Sequence, residues 1–215
     1  MRSALLIGLG KFGRHIAMYL DQIGIQVMAV DNNEERVNEV LPYVTKAQIG
    51  DITNLEFLES LGVSSYDVCY VALGSNFQTS LETTLNLKEH GAKFVVSRAA
   101  SEIHEKFLKR SGADEVFFPE RQVAKWVSIT YSAEYIFDYF ELDDKHAIFE
   151  VPVPKNWAGK SIIEIDVRKN HGINIIAIKQ DGKLSVTLTP NTILEENMNL
   201  MVIGEYKTLH KLFKV

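Results

Sequence analysis

The chain has 215 residues, 46% hydrophobic and 24% charged, with a formal charge of −5 and a single cysteine, which is ordinary globular composition for one large or two small domains with a sizeable core. It excludes an intrachain disulfide and a cysteine-built zinc site, and its scattered Lys and Arg lack the footprint of a nucleic-acid binder. No apolar run approaches the roughly 18 residues of a bilayer span, and Met1-Arg2-Ser3 leads straight into an apolar run, so a cytoplasmic location is expected.

The first run, Ala4 to Gly8, reads as a buried strand and passes through Gly8-Leu9-Gly10-Lys11-Phe12-Gly13 into a helix from Lys11 to Ile23. In a strand-GxGxxG-helix unit, Gly8 permits the tight turn, Gly10 lets backbone approach a pyrophosphate, and Gly13 allows the helix to pack on the strand. The phosphates would rest on the helix N-terminus. A second run, Gln26 to Asp31, ends on an acid near the roughly 20-residue offset at which a carboxylate takes ribose hydroxyls and repels a 2′-phosphate. An adenosine nucleotide lacking that phosphate is therefore expected. The alternative is a Rossmann-shaped domain that binds nothing.

Further strands are predicted at Thr45 to Ile49, Val68 to Leu73, Phe94 to Ser97 and Glu115 to Phe118. Helices fall between them at Glu34 to Leu41, Asn54 to Leu61, Phe77 to His90 and Glu102 to Ser111, the last two stopped by Gly91 and Gly112. Such alternation marks βαβ units and a parallel, Rossmann-like sheet. Cys69 lies in the fourth strand as a small buried hydrophobe. Ala72, Gly74, Ser75 and Asn76 end that strand at the carboxyl edge, where open α/β sheets bind ligands.

Glu120 to Phe140 contains no Gly or Pro and sets apolar residues all round a predicted helix, which then needs cover on most sides. A second subunit is the expected cover, and a helix bridging two domains of one chain is the alternative. After Asp143-Asp144-Lys145 the pattern changes to short strands and turns. Lys145 to Val153 is extended, Ser161-Ile162-Ile163-Glu164 is a capping box opening one short helix stopped by Gly172, and Asp181-Gly182 joins Asn174–Lys179 to Leu184–Leu188 as a hairpin. Asn199 to Gly204 forms a last strand and Tyr206 to Phe213 a last helix. The expected division is a Rossmann-like domain over 1–118, a crossover and dimerisation helix over 119–141, and a small α/β domain over 142–215.

The strand-GLGKFG-helix start, Val30-Asp31-Asn32-Asn33-Glu34-Glu35, Ala72-Leu73-Gly74-Ser75-Asn76, and Gly112-Ala113-Asp114 leading to Pro119-Glu120 resemble the RCK (KTN) regulatory subunits of Trk/Ktr-type potassium uptake systems. The likeness covers essentially the whole chain and is nearer the Ktr type, with one N-terminal and one C-terminal RCK unit. It implies a cytoplasmic, non-enzymatic gating ring, an octamer assembled from homodimers or a dimer of dimers, docked on a membrane potassium-translocating subunit. It also implies ATP or ADP in the N-terminal cleft, favouring different ring states, with NAD(H) bound in Trk-type members.

By the same resemblance Lys11 stands where Ktr-type proteins usually carry an arginine that meets the terminal phosphates, which keeps the charge but loses the bidentate fork. A solvated first-turn lysine is the other reading. Asn33 reaches the ribose or adenine edge or caps the following helix, and Asp51 and Thr53 make adenine contacts or a local turn. Arg98 neutralises phosphate or pairs with Glu102. Glu120 resembles a ligand of Mg or Ca beside the nucleotide, although the macrodipole alone favours an acid there. The C-terminal domain resembles RCK_C, which in several relatives binds cyclic di-AMP between subunits. Ile162, Ile163, Asp166, Arg168, Asn174, Ile175 and Pro190 correspond to that site, or are in part simple core.

The competing reading is an NAD-dependent oxidoreductase, since the same glycines serve hydride transfer. Against it, the six histidines fall mostly on predicted helices or in the small domain, away from the cleft mouth, and the last 70 or so residues are few for a substrate domain.

Overall fold

The computed structural model describes residues 3–74, 76–132 and 137–213. The chain divides into two compact units, 1–121 and 122–215.

In the first unit β1 (Ser3–Ile7), β2 (Gln26–Asp31), β3 (Lys46–Ile49), β4 (Val68–Val71), β5 (Val95–Arg98) and β6 (Glu115–Phe117) form one parallel sheet in the order β3-β2-β1-β4-β5-β6. The order reverses direction at β1, so β1 and β4 flank the switch point where such sheets take ligands. Helices α1 (Lys11–Gln22), α2 (Glu34–Val40), α3 (Leu55–Ser60), α4 (Phe77–Glu89) and α5 (Glu102–Arg110) connect the strands. Leu5, Leu6 and Ile7 are buried along β1 regardless of which face they point to, as a strand covered on both sides requires. One cluster packs Leu5, Ile7, Val30 and Leu58; the other packs Leu6, Ala17, Ala29 and Val37. Cys69 is buried in the first cluster, and that burial pushes its thiol up to about 12.

Helix α6 (Pro119–Ser132) carries the chain out of the first unit. It is shorter than the sequence suggests: Ala133 and Ile136 lie outside the described residues, and Asp138–Glu141 is a strand, β7, paired antiparallel with β8 (His146–Pro152). The cause is Tyr139, whose ring is buried 5.3 Å from Phe149 while Phe137 and Phe140 stay exposed. The antiparallel register that sets Tyr139 opposite Phe149 requires extended backbone, which a continuing helix cannot supply.

The second unit is a five-stranded antiparallel sheet in the order β10-β9-β11-β8-β7, with β9 at Asn174–Gln180, β10 at Lys183–Ser185 and β11 at Asn199–Glu205. Asp181 and Gly182, both at positive φ, make the β9–β10 turn. Ser161 and Glu164 form the capping box of α7 (Ile162–Ile165). The single predicted helix is in fact two, because Asp166 at φ 45° breaks α7 from α8 (Val167–His171). Phe149, Leu200, Val202 and Leu209, the last on α9 (Tyr206–Phe213), centre its core. Among the described residues no helix is long and apolar enough to cross a membrane.

Candidate functional site

The carboxyl edge of the parallel sheet opens on a cleft with two lobes of about 400 and 470 Å³, which share Gly8, Asp31, Arg36 and Leu73 as walls. Gly8 turns the chain at φ +90°, where an added Cβ would also lie 2.8 Å from Leu73 Cδ2. Gly13 brings α1 against β1: a Cβ there would stand 1.9 Å from the Gly8 carbonyl oxygen. Lys11 and Phe12 line the second lobe with Gly10.

Gly10 caps α1 with no side chain, and the space its Cβ would fill is open. Helices α2 to α5 carry their own caps: Asn33, Asn54, Asn76 and Ser101 accept from the backbone N–H of Arg36, Phe57, Thr79 and His104. The first N–H groups of α1 are thus left for an anion at the positive end of its dipole.

Asp31, 6% exposed at the end of β2, faces that terminus. Its Oδ2 accepts the Leu9 N–H at 2.7 Å and its Oδ1 the Asn33 N–H at 2.9 Å, tying the glycine loop to β2. A carboxylate has about four acceptor positions, so about two remain open to donors from a guest in the cleft. Arg36 Nη1 stands 3.7 Å from Oδ2. Asn32 lines the first lobe, whereas Asn33 caps α2 and faces an adjoining groove shared with Lys11.

Asp51 and Thr53 line the first lobe and also form a local turn, the Asp51 carboxylate accepting from the Thr53 N–H and hydroxyl at 2.9 and 2.7 Å. Those two bonds hold the Asp51 carboxyl below its usual range. Ala72 and Gly74 line the second lobe and Asn76 the first, while Ser75 lies outside the described residues.

Arg98, at the end of β5, forms a wall of the second lobe. Its guanidinium sits 5.5 Å above the Phe12 ring and bonds Glu120. Of the two readings of Arg98, the Glu102 ion pair is not formed: the side chain lies over Phe12 and against Gly74 and pairs with Glu120 at the start of α6. Glu120 offers one carboxylate, already engaged by Arg98, and the described residues hold no group of three His, Cys, Asp or Glu suited to a metal. One chain alone does not fit a divalent ion there.

Arg36, Leu73, Thr79 and His15 also line the cleft, and the sequence reading missed all four. Arg36 was findable, because the N–H that Asn33 caps is its own. His15, one turn into α1, corrects the expectation that the histidines stand away from the cleft.

In the second unit Ile162, Ile163, Asp166, Arg168, Ile175 and Pro190 line one cavity of about 390 Å³ with Val167, Leu188 and Thr189. Asn174 is not among them, for neighbours on a strand point to opposite faces and Ile175 takes the cavity side.

A Rossmann unit with a cleft suited to a nucleotide, followed in the same chain by a separate small antiparallel unit, defines the class. The chain belongs to the RCK family of TrkA-N/TrkA-C proteins: the TrkA-N domain matches residues 4–119 and the TrkA-C domain residues 146–215. It is similar to Ktr system potassium uptake protein C of Bacillus subtilis (strain 168), 36% identical over 209 residues, covering 97% of this chain and 95% of that one. The Ktr system potassium uptake protein A of the same organism is 35% identical over 206 residues, covering 96% and 93%. Among solved structures, the GsuK channel bound to NAD shares the fold with a TM-score of 0.69 at 21% identity, over 99% of this chain and 39% of that one. Like its Ktr relatives the chain is an RCK regulatory protein and not an enzyme, which disposes of the oxidoreductase reading.

Proposed function

We propose that this chain is the nucleotide-sensing cytoplasmic subunit of a Ktr-type potassium uptake system, controlling potassium flux through a membrane translocating subunit. The observation that carries the reading is the pairing of an uncapped α1 N-terminus with the buried Asp31 carboxylate in one cleft. The α1 N–H groups, Lys11 and Arg98 take phosphates, and Asp31 takes the ribose hydroxyls and repels a 2′-phosphate. ATP and ADP are the expected occupants. NAD(H) has the same adenosine diphosphate end, and NAD is the molecule bound to the GsuK channel. Occupancy can act only through a difference in affinity between two assembly shapes.

The apolar side chains of Val123, Trp126 and Val127, exposed in one chain, suit cover by a second copy in a dimer that builds a ring. The second-unit cavity suits cyclic di-AMP, its isoleucines and Pro190 flanking adenine and Arg168 reaching phosphate.

Calorimetry with ATP, ADP, NAD, NADH, NADP and cyclic di-AMP, with light scattering under each condition, tests the proposal. Adenine nucleotides without a 2′-phosphate should bind more tightly than NADP and change the particle size distribution. A chain that binds no adenine nucleotide, or stays monomeric at tens of micromolar in every condition, a range set by ordinary interface affinities, ends it.

A further inference from the structure

Arg98 is unusual in how little of its binding capacity is used. Its side chain is 21% exposed, its planar group lies over Phe12 and fills the space beside Gly74, and Nη2 bonds Glu120. Its Nε is buried and has no hydrogen-bond partner among the described residues. A guanidinium carries five donors, and a buried donor without a partner is costly. The group therefore lines the cleft with donor capacity to spare, and its acidic partner is the second residue of α6.

We propose that Glu120 is a built-in competitor for Arg98, so that a nucleotide phosphate entering the second lobe displaces the Glu120 carboxylate from the guanidinium. The inference rests on the nucleotide reading above and deepens it. Both anions want the same planar fork, and phosphate suits it at least as well as carboxylate. Each therefore lowers the other's hold on Arg98. Glu120 tunes phosphate affinity downward, and a bound phosphate loosens the first turn of the helix leading out of the unit. The adenosine part of the ligand, held around Asp31 in the region shared by both lobes, is indifferent to the exchange.

The test uses the full chain in a metal-chelating buffer, so that no divalent ion bridges Glu120 and phosphate. Calorimetry measures ADP and ATP, and adenosine is measured by competition against ADP. Glu120→Gln keeps the shape and removes the charge; it should tighten ADP and ATP by about two- to five-fold, as expected for loss of a partly exposed ion pair, and leave adenosine unchanged. In an Arg98→Gln background the same substitution should change nothing, because the contested group is gone. Unchanged or weaker ADP and ATP binding in Glu120→Gln overturns the competition while the nucleotide reading stands. Equal tightening of adenosine overturns it as well. A wild-type chain that binds none of the three removes both.

Discussion

Replacing Asp31 with alanine removes the acceptor of two backbone bonds and the proposed ribose contact together. Hydrogen bonds to a charged group contribute about 1.5–3 kcal/mol each net of the water bonds they replace, so losing the bonds from Leu9 and Asn33, at 2.7 and 2.9 Å, should cost about 3–6 kcal/mol. The Asp31→Asn variant would do little better, since an amide has one oxygen for two donors and turns its NH2 toward the other N–H. Hydrogen exchange of the Leu9 and Asn33 amides is the sharpest assay, because it reads the loop without requiring the two units to unfold together. Both amides should lose protection, and nucleotide affinity should fall by a further 1–3 kcal/mol, roughly five- to 150-fold. Wild-type protection of both amides in Asp31→Ala would refute the claim that this carboxylate holds the glycine loop.

Two glycine substitutions should separate folding from binding. Gly13→Ala places Cβ against the Gly8 carbonyl and should cost on the order of 3 kcal/mol in thermal or urea unfolding, whereas Gly10→Ala meets nothing within 4 Å, should leave stability nearly unchanged, and should still weaken nucleotide binding in calorimetry. Ser161→Ala removes the α7 capping box and should lower the stability of the second unit by about 1 kcal/mol in denaturant titration. His104 is buried, its Nδ1 accepts the Ala100 N–H, and its Nε2 has no partner among the described residues; desolvation holds its pKa below the usual value. The unfolded chain therefore takes up a proton near pH 6.5 that the folded chain takes up only at lower pH, so stability present above that value is lost as pH falls toward the folded pKa. Unfolding midpoints measured from pH 7.5 to 5 should fall less steeply in His104→Phe than in the wild type.

The parallel sheet was legible because its central strands, β1, β2 and β4, are largely buried and so read as apolar runs, and because α4 and α5 stop at Gly91 and Gly112. The helix over α6 was legible too, but its end near Asp138 was not, since an apolar segment without Gly or Pro satisfies helix and strand alike, and what decides is the non-local pairing of Tyr139 with Phe149 across β7 and β8. The hairpin arm read as Leu184–Leu188 is a strand only over Lys183–Ser185; on this sheet edge Leu184 and Val186 are exposed and no neighbour rewards further extension. Nothing in Ile165-Asp166-Val167 announces a left-handed residue, and the break between α7 and α8 appears only once that corner is folded.

The site shows a deeper limit. At the carboxyl edge of a parallel sheet every strand runs into a helix, and every helix start needs acceptors, so Asn and Ser gather at the edge where ligands also bind. Asn76 caps α4 and lines the first lobe, and Asp51 and Thr53 close a turn and line the same lobe. Residue type therefore cannot separate a cap from a ligand contact at these positions. What separates them is an unfilled requirement. Gly10 leaves α1 without the acceptor that α2 to α5 have, and Asp31, which supplies the nearby loop, cannot serve an anion because it is itself negative. In the function proposed above, an external phosphate answers the first need and ribose hydroxyls answer the second, so the combination selects one kind of guest where either feature alone would select none.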